Sequence, residues 1–564
     1  MYLGINAFFH DASAAIVDRD GRIIAAAQEE RFTHKKREGR FPVDSIKYCL
    51  KEARININEL EGIGFAWDPK RLIFQRILWL NLFRVPASWS AIQENIQKIK
   101  GMWAVPKLLK EHFGYSGNTS FRYFRHHACH AANAYFASPF EQAAFMTIDG
   151  GGEVESITWG KGKGGSVVKL GQSYFPDSIG KVYSGTCRFL GFSGAEKDGT
   201  VMALAAFGEP KFVDIFRKII KPIKDTNSLK VKVDASYFDF YSTADIALSS
   251  KKFSDVFGIP ARKHEEEVTQ IHKDIAASLQ KVTEEVIVEL LQRLHLITGE
   301  TNLVLSGGVA LNSVLNGKLE KISAFKNVFI QPAASDAGLS LGAAYLSRLE
   351  RNMNKPVPME TAALGPSYSD EECREALEKA GLKYEAPQNL TRIVAQAISE
   401  GKIIAWFQGR MEFGPRALGQ RSLLGDARLV TMLDKLNEVK KREKFRPFAI
   451  SILEEKAHNV LESIDNSPFM LMVDTVKSDW RNKVPSAQHI DGSVRIQTLN
   501  KKRDGLYYDL VQEFDKLTGV PLIINTSLNI KGQPIVCTPS EAIETFVSSS
   551  IDVLVMGPYL IYKK

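Results

Sequence analysis

The sequence predicts an α/β protein whose N-terminal part is duplicated, because one arrangement of strands and glycine loops occurs twice. A strand pattern at Tyr2–Asn6 precedes a hairpin pattern with an Asp-Gly turn at residues 20–21. Residues 141–175 repeat this design, with a strand, a glycine loop that begins at Asp149, a second strand, a glycine-rich turn and a third strand. Two such halves are typical of the nucleotide fold of actin, Hsp70 and sugar kinases, whose loops surround phosphates with backbone N–H groups.

The chain is long enough for at least two domains. Its 564 residues exceed what one hydrophobic core usually supports, and its composition, 44% apolar and 24% charged, is ordinary for a globular protein. Helical and strand periodicity is lost ahead of residue 370, in a stretch that contains Pro356, Pro358 and Pro366. We therefore expect a first domain over residues 1–350, a linker over 351–370 and a second domain over 371–564.

Charge, cysteine and hydropathy patterns indicate a cytoplasmic protein. The net charge of +8 comes from acidic and basic residues mixed throughout, which argues against nucleic-acid binding and allows local pockets for anions. The five cysteines are scattered, as in a reducing compartment, and no signal peptide pattern opens the chain. The most apolar stretch, residues 72–89, is too short and too interrupted by charge to span a membrane. The Trp- and Phe-rich segment 68–120 suits an acceptor lid or a homodimer surface.

A histidine cluster is the strongest local signal of chemistry. On a helix, His126 and His130 lie four residues apart and share a face, which is the start of a metal site. The apolar run 143–148 indicates a buried strand that delivers Asp149 to a glycine loop. Two histidines with one or two carboxylates suit Fe(II), Mn(II) or Zn(II). Asp336 is either a helix cap or the fourth ligand, and a histidine cluster at a helix start without metal is the simpler alternative.

Glycine pairs follow two of the predicted buried strands. Gly150 and Gly151 come after Asp149, and Gly307 and Gly308 follow the apolar strand 303–306. A strand that runs through glycines into a helix presents backbone N–H groups to phosphate. The charged triplet 196–198, just before a small-residue helix, is a further place where an anion or a substrate group could dock.

Two further stretches have no assigned chemistry: one is predicted to be structural, and the role of the other is undecided. Apolar residues recur at helical spacing over residues 265–296, which predicts a long helix that packs in the core. The charged stretch 29–37 suits a solvated loop and a substrate-facing loop equally well.

Basic residues are concentrated in the second domain, over residues 409–422, 440–448 and 493–495, and a polar strand end follows over 523–529. Arginines flanked by glycine, proline and phenylalanine are expected to be held in place rather than to extend into solvent. Guanidinium groups match phosphate oxygens bidentately, so such a cleft would bind a nucleotide and a second phosphorylated substrate together. Surface salt bridges are the alternative, which we favour for Lys441 and Lys444.

With these motifs in place, the chain resembles the O-carbamoyltransferase family of nodulation-factor and antibiotic biosynthesis over essentially its whole length. The motifs that carry the resemblance are specific together rather than singly. They are HDASAA at 10–15, EERF at 29–32, HHACHAANA at 126–134, DGGGE at 149–153, SGGVALN at 306–312, SDAG at 335–338, GRMEFGPRALGQRS at 409–422, VKKREKFRPFA at 439–449 and NTSLN at 525–529.

The resemblance implies a fold and a two-step reaction. The N-terminal domain would be Kae1-like, similar to the ATPase-fold domain of tRNA threonylcarbamoyl transfer, and would hold Fe(II). The C-terminal domain would be a YrdC-like twisted α/β sheet. There, carbamoyl phosphate and ATP with Mg(II) would give carbamoyladenylate, and an acceptor hydroxyl of a sugar or natural product would then attack the carbamoyl carbon in the N-terminal domain.

The resemblance also implies roles for individual residues. His10 would be the general base, and Lys36 would contact carbamoyladenylate. The metal ligands would be His126, His130, Asp149 and Asp336. The cofactor-binding residues would be Asp11, Gly150, Gly151, Gly307, Gly308 and Asn312 in the first domain, and Arg416, Lys440, Arg442, Arg446, Arg495, Asn525 and Ser527 in the second.

One loop departs from the family pattern. The family commonly carries a lysine and a glycine where this chain has Thr200 and Ala203, and Lys197 lies one helical turn away. The departure puts that loop's contacts to the adenylate or the acceptor in question and could mark a different acceptor. There are two competing hypotheses. The first is a threonylcarbamoyl transferase that acts on tRNA; against it, this sequence has no basic arm or stripe that could follow the tRNA phosphates. The second is an ATP-driven switch of the actin/Hsp70 class without enzymatic activity.

Overall fold

The computed structural model describes residues 1–74, 89–194, 197–225, 228–239, 248–464 and 466–563. These residues form two compact units. The N-terminal unit comprises Met1–Glu29, Arg37–Asn312 and Leu319–Met359, and the C-terminal unit comprises Glu30–Lys36, Ser313–Lys318 and Glu360–Lys564. Most of the apolar stretch 72–89, and with it part of the segment 68–120, lies outside the described residues.

The N-terminal unit contains two five-stranded sheets with the same topology, which confirms the predicted duplication. In sheet order, the first contains β3 (Ile23–Gln28), β2 (Ser13–Val17), β1 (Tyr2–Asn6), β4 (Gly62–Phe65) and β5 (Ser120–Tyr123). The second contains β14 (Asn327–Ile330), β13 (Asn302–Ser306), β6 (Gln142–Ile148), β7 (Glu155–Lys163) and β8 (Ser166–Tyr174). In each sheet the first three strands in the chain are antiparallel and the remaining two are added in parallel.

Buried strands explain the continuous apolar runs in the sequence. All five residues of β1 are buried, because the helix Leu339–Leu349 packs on the sheet. Gly4 makes this close packing feasible, since a Cβ atom at that position would lie 1.8 Å from the carbonyl oxygen of Ser340. The last residue of β1, Asn6, is polar and fully buried.

Helices and short strands complete the N-terminal unit. The longer helices are Val43–Ala53, Trp89–Trp103, Val105–Phe113, His126–Ala137, Ile179–Phe189, Lys197–Leu204, Val213–Ile219, Lys251–Phe257, Gln270–Thr298 and Leu339–Leu349. Two small sheets pair β9 (Ile220–Pro222) with β10 (Val231–Val233), and β11 (Phe238–Asp239) with β12 (Leu248–Ser249).

The predicted start of the long core helix was wrong by five residues. The sequence pattern placed the helix over residues 265–296, whereas it extends from Gln270 to Thr298. Thr269 and His272 form a capping box that sets the start, and Gly299 adopts a left-handed conformation that ends the helix. The acidic residues ahead of Thr269 lie outside the helix. Similarly, the sequence placed Lys197 and Asp198 just before a helix, whereas they form its first turn; Glu196 lies outside the described residues.

The C-terminal unit is built on a mixed eight-stranded sheet. In sheet order its strands are β18 (Met472–Thr475), β19 (Ser493–Leu499), β17 (Ala449–Leu453), β20 (Leu522–Ser527), β16 (Arg421–Gly425), β15 (Ile404–Phe407), β21 (Val553–Met556) and β22 (Tyr559–Tyr562). The main helices are Asp370–Lys379, Leu390–Ser399, Met432–Lys440, Lys501–Thr518 and Pro539–Val547. The unit is thus of the mixed α/β class; its YrdC-like character stays a prediction.

The structure gives two further properties of the described residues. All five cysteines are buried, and each is a thiol rather than half of a disulfide bond. None of the helices in the described part of the chain combines the length and the apolar composition that crossing a membrane requires.

Candidate functional site

The N-terminal unit brings the four predicted metal ligands together. His126, His130, Asp149 and Asp336 each offer one ligand atom, and these atoms all lie within 4.8 Å of one another. Three of the four residues are buried, and Asp149 is partly buried. The predicted ligands therefore converge in space, although 210 residues separate the first from the last in the sequence, from position 126 to position 336.

Helix and strand ends place the four side chains. His126 is the first residue of the helix His126–Ala137, and His130 follows one turn later on the same face. Asp149 comes directly after β6, and Asp336 opens a short 3-10 helix after β14. Ser335 occupies the N-cap position there, so Asp336 is not the cap residue. The geometry thus favours the ligand interpretation of Asp336 over the cap interpretation.

The donor atoms of this group fit a divalent cation. Within the described structure, Nε2 of His126, Nε2 of His130 and Oδ1 of Asp336 are buried without a hydrogen-bond partner. Buried polar atoms are normally satisfied, so unpartnered donor atoms that face one point indicate a missing ligand. Burial lowers the pKa of His130, which keeps its ring neutral and able to donate a lone pair. Imidazole nitrogen and carboxylate oxygen together suit Fe(II), Mn(II) or Zn(II); Fe(II) itself stays a prediction.

Polar groups behind the ligands orient them. The hydroxyl of Ser306 lies 3.1 Å from Nδ1 of His130 and donates to the carbonyl of Ala334 at 3.3 Å. In that arrangement Nδ1 carries the proton of His130, which leaves the lone pair on Nε2. The backbone N–H of Gly308 donates to Oδ1 of Asp149 at 2.9 Å. The predicted phosphate-facing N–H of Gly308 thus orients a carboxylate in this structure.

Asn6 and Trp67 support the site and were missed by sequence reasoning. The amide nitrogen of Asn6 donates to three backbone carbonyls, including that of Asp336 at 3.0 Å. The indole of Trp67 donates to Oδ1 of Asn6 at 3.0 Å, and its ring centroid lies 4.3 Å from that of His126. The available signal was a polar residue directly after an apolar run at the carboxyl end of a strand, a pattern that Ser306 shares at the end of β13.

Glu153, the last residue of the DGGGE motif, holds the start of the histidine helix. Its side chain is fully buried and accepts hydrogen bonds from the backbone N–H groups of His126, at 3.1 Å, and of Asp68, at 2.9 Å. Burial and the neighbouring charge of Glu155 raise the pKa of Glu153 to about 7. Its contact to the first helical N–H fixes where His126 enters the site.

His10 lies beside the same group. Its Nδ1 is 3.3 Å from Oδ2 of Asp11 and 3.7 Å from Oδ2 of Asp336. Burial alone would lower the pKa of His10, but the charge of Asp336 and the contact with Asp11 outweigh it and raise the pKa to about 9. Asp11 adopts a left-handed backbone conformation with φ of 54°, which turns the loop after β1.

The glycines of the predicted phosphate loops have structural reasons for their identity. Gly307 has φ of 94°, and a Cβ atom there would lie 2.2 Å from the carbonyl oxygen of Ile148. The loop after β13 can therefore pass close to the end of β6 only with glycine. Gly150 and Gly151 follow Asp149, and the amide of Asn312 pairs with that of Gln280 through two contacts of 3.1 Å. The nucleotide contacts assigned to these residues stay predictions.

The C-terminal unit gathers four predicted anion-binding arginines. Burial and then the charges of Arg416, Arg442 and Arg446 hold the pKa of Arg495 well below its usual range. The Nε of Arg495 is buried without a hydrogen-bond partner within the part of the chain that the structure describes. Like charges near a buried guanidinium are unfavourable and favour an anion close by, and Glu443, 3.7 Å from Arg446, offsets part of this charge.

The arginines of the 409–422 loop have two different roles. The guanidinium of Arg421 is buried, donates to the carbonyls of Gln408 and Gly409 and stacks 3.6 Å from the ring of Phe407. Arg410 donates to the carbonyl of Leu364 at 2.7 Å. Both therefore support the fold of the loop, and Arg416 is the arginine of this loop that joins the cluster.

Buried polar side chains hold the loop from behind. Oε1 of Glu412 accepts three backbone N–H groups, from residues 418, 420 and 421, at 2.7 to 3.1 Å. Gln497 donates to the carbonyl of Leu418 at 2.9 Å, and Asn525 donates to that of Ala417 at 3.3 Å. Glu412 and Gln497 were missed by sequence reasoning. Asn525 is fully buried in this network, where its amide also contacts Ser451 and Gln497 at 3.0 Å.

Lys440 and Ser527 form a second buried contact. The ammonium of Lys440 donates to the carbonyl of Ser527 at 2.6 Å, to its hydroxyl at 3.0 Å and to Oδ1 of Asn529. These bonds join the end of the helix Met432–Lys440 to the end of β20. Lys441 and Lys444 are exposed, as expected for surface residues.

The EERF stretch is neither a fully solvated loop nor a single element of the N-terminal unit. Glu29 is buried and accepts the backbone N–H and the hydroxyl of Ser45, at the start of the helix Val43–Ala53. Residues 30–36, which include Lys36, belong to the C-terminal unit, where Arg31 is buried and donates to the carbonyl of Gly414 at 2.8 Å. Lys36 is partly buried, and its assigned contact to carbamoyladenylate stays a prediction.

Comparison with known proteins covers most of the chain. The family model described as carbamoyltransferase N-terminus matches residues 1–345, and the one described as carbamoyltransferase C-terminus matches residues 395–563. The uncharacterized protein sll1178 of Synechocystis is 38% identical over 606 residues, which covers 100% of this chain and 96% of that protein. The nodulation protein NolNO of Sinorhizobium fredii is 35% identical over 577 residues, which covers 99% of this chain and 80% of that protein.

Solved structures are more distant. The activator of the 2-hydroxyisocaproyl-CoA dehydratase from Clostridium difficile has a TM-score of 0.33 and 13% identity, and the match covers 62% of this chain and 94% of that chain. HypF of T. kodakarensis has a TM-score of 0.31 and 14% identity over 62% of this chain and 47% of that chain. Likeness at this level carries no argument about function.

Proposed function

Since this chain belongs to the carbamoyltransferase family and is a carbamoyltransferase enzyme, we propose that it is an ATP-dependent O-carbamoyltransferase. In the first step, carbamoyl phosphate, water and ATP give carbamoyladenylate, inorganic phosphate and pyrophosphate in the C-terminal unit. In the second step, a hydroxyl group of a small-molecule acceptor attacks the carbamoyl carbon in the N-terminal unit, and AMP leaves. The acceptor belongs to the class of sugars and sugar-like natural products.

The observation that carries this proposal is the cluster of Arg416, Arg442 and Arg446 around Arg495. Carbamoyl phosphate is a dianion and ATP carries more charge, so bringing both into one site requires several fixed cations. Arginine presents a planar fork of donors that matches phosphate oxygens in pairs. Glu412 and Gln497 position the loop that carries Arg416, so the cluster is held by buried hydrogen bonds before any ligand arrives.

The N-terminal group supports the second step. His126, His130, Asp149 and Asp336 would hold a divalent metal, which would supply a Lewis acid beside the carbamoyl oxygen. His10 lies next to Asp336 and Asp11 and would accept the proton of the acceptor hydroxyl. Its raised pKa reflects two uncompensated carboxylates, and a cation on Asp336 would remove one of those causes and bring the pKa of His10 closer to neutrality.

The proposal is tested by measuring pyrophosphate release from ATP without an acceptor, in the presence and absence of carbamoyl phosphate. We expect release that depends on carbamoyl phosphate and that is accompanied by inorganic phosphate in equal amount. A screen of sugar and aminoglycoside alcohols should then convert the accumulated carbamoyladenylate to AMP and a carbamoylated product detected by mass spectrometry. Pyrophosphate release that is unaffected by carbamoyl phosphate, with and without acceptors, would contradict the proposed donor.

Replacing His10 with alanine separates the two steps. Removing a general base should lower the rate of carbamoyl transfer by about 10² to 10⁴-fold. Carbamoyl-phosphate-dependent pyrophosphate release should stay near the wild-type rate, because His10 belongs to the N-terminal unit. Transfer is followed in single turnover with preformed carbamoyladenylate. If the rates of pyrophosphate release and of carbamoyl transfer fall equally in His10→Ala, His10 is not the general base.

A further inference from the structure

A polar cavity in the C-terminal unit is used by none of the steps described above. Its volume is about 290 Å³, and all of its lining residues belong to that unit. The arginine cluster around Arg495 contributes no side chain to this lining within the described part of the chain. We call it the Glu412 cavity, and its polar lining residues are Thr361, Glu412, Gln420, Gln497, Arg503 and Asp504.

Glu412 has one carboxylate oxygen that the protein does not use. The residue is 3% exposed, and its Oε1 accepts the backbone N–H groups of residues 418, 420 and 421. Oε2 is buried and has no hydrogen-bond partner among the described residues. A bare carboxylate oxygen away from water costs free energy. Since Oε1 faces the loop backbone, Oε2 is the oxygen available to a ligand in the cavity.

The other charged side chains of the cavity already have partners. Asp504 accepts from the guanidinium of Arg503 at 2.8 and 3.2 Å and from the backbone N–H of Asn500 at 2.7 Å. Arg503 also donates to the carbonyl of Thr498 at 2.6 Å. Because these two charges offset each other, Glu412 leaves the cavity with an excess of negative charge.

Arg421 attracts Glu412 but does not bind its carboxylate. Burial lowers the pKa of Arg421, and the charge of Glu412 offsets part of this effect. The guanidinium N–H groups donate instead to the carbonyls of Gln408, Gly409 and Pro366. The attraction therefore leaves Oε2 of Glu412 without a contact that would satisfy it.

The remaining groups of the cavity favour a singly charged cation. Pro468 has no backbone N–H and can offer only its carbonyl, and Thr361 and Gln420 add a hydroxyl and an amide oxygen. Calcium takes six to eight oxygen ligands, several of them usually carboxylates, and magnesium is usually bound through one or two carboxylates together with phosphates and waters. Potassium, in contrast, is bound by neutral carbonyl oxygens. One unpaired carboxylate oxygen among neutral oxygens therefore matches K⁺ in charge.

We propose that the Glu412 cavity binds one potassium ion, with Oε2 of Glu412 as its charged ligand. The ion would strengthen the loop that carries Arg416, because the same carboxylate accepts three backbone N–H groups of that loop. This site is separate from the divalent metal group of the N-terminal unit, and the binding of the ion does not depend on the proposed function.

The test compares thermal unfolding of the full-length chain in KCl and in choline chloride at equal concentration, so that ionic strength and chloride stay constant. Saturating KCl should raise the unfolding temperature by roughly 2 °C or more. Glu412→Gln keeps an oxygen for the three loop N–H groups but puts an amide N–H₂ at the place of Oε2, so the rise should disappear. The matched control is Glu375→Gln, at an exposed residue of the helix Asp370–Lys379, which should retain the rise.

A crystal of the wild type grown with RbCl in place of KCl provides a direct readout, because rubidium gives an anomalous peak that water does not. We expect that peak next to Oε2 of Glu412, and this readout decides the site if Glu412→Gln fails to fold. Equal unfolding temperatures in the two salts, a KCl effect that persists in a folded Glu412→Gln, or a cavity that holds water without an anomalous peak would each overturn the proposal. Failure of the proposed function is read separately, from pyrophosphate release, and would leave these results unchanged.

Discussion

Replacing Asp336 with asparagine is expected to remove divalent metal from the protein while leaving it folded. The substitution keeps the shape of the side chain but removes the charge that faces Nε2 of both His126 and His130 at 3.7 to 3.8 Å. Loss of a residue that only supports a ligand typically costs 10- to 100-fold in metal affinity, and loss of a ligand should cost at least as much. Metal content after dialysis against Fe(II), Mn(II) or Zn(II), measured by mass spectrometry, reports the loss directly.

A graded series makes this test specific. Ser306→Ala removes the hydroxyl 3.1 Å from Nδ1 of His130 and should weaken metal binding by about 10- to 100-fold without abolishing it. Asp214→Asn changes a carboxylate that is 91% exposed and should leave the metal content at the wild-type level. Because Trp67 packs on His126, quenching of its fluorescence by a paramagnetic ion gives a second readout that is independent of activity.

One result would contradict the assignment of these residues as metal ligands. An Asp336→Asn protein that retains one metal per chain, with affinity within threefold of the wild type, would show that the four side chains are not a metal site. The unpartnered nitrogen atoms of His126 and His130 would then need another ligand.

The sequence predicted this site because its parts are local patterns that strand topology brings together. Asp149 ends a strand and Asp336 follows another, and β6, β13 and β14 are parallel neighbours, so their carboxyl ends meet at one edge of the sheet. The two histidines are one helical turn apart and need no tertiary information. The duplication was visible for the same reason, since each half repeats its own short-range strand and glycine pattern.

The supporting residues could not be predicted, because their partners are remote in sequence. Asn6 bonds to the carbonyl of Asp336, 330 residues away, and Arg31 bonds to that of Gly414, 383 residues away. Nothing near Arg31 distinguishes a buried loop from a solvated one. Likewise, Arg416 and Arg421 share one glycine-rich loop, and only the burial of Arg421 against Phe407 and the loop carbonyls reveals its structural role.

The misplaced start of the helix Gln270–Thr298 has a local cause. Three consecutive glutamates at 265–267 are good helix formers and extend the apparent pattern. The capping box that sets the true start uses His272 at the position where glutamate or glutamine is usual. A search for the common capping pattern therefore passes over it.

Replacing Arg495 with methionine is expected to abolish formation of carbamoyladenylate without destabilising the free protein. Removing one fixed donor from a site that stabilises developing charge typically costs about 10² to 10³-fold in rate. Carbamoyl-phosphate-dependent pyrophosphate release should fall by that factor. Meanwhile the folded state loses a guanidinium whose pKa is held down by burial and by three neighbouring arginines. The charge of Arg495 is therefore unfavourable in the empty site, and its removal should leave the unfolding temperature unchanged or raise it at low ionic strength.

This opposition between stability and activity distinguishes an anion site from a structural cluster. In the wild type, added pyrophosphate should raise the unfolding temperature by binding among the arginines, and in Arg495→Met that rise should shrink or disappear. The matched control is Arg392→Met, because Arg392 is exposed on the helix Leu390–Ser399 of the same unit; it should retain both pyrophosphate release and the stabilisation. If Arg495→Met instead unfolds at a lower temperature and still releases pyrophosphate within threefold of the wild-type rate, the cluster is structural, and the site of carbamoyl activation must be sought elsewhere in the chain.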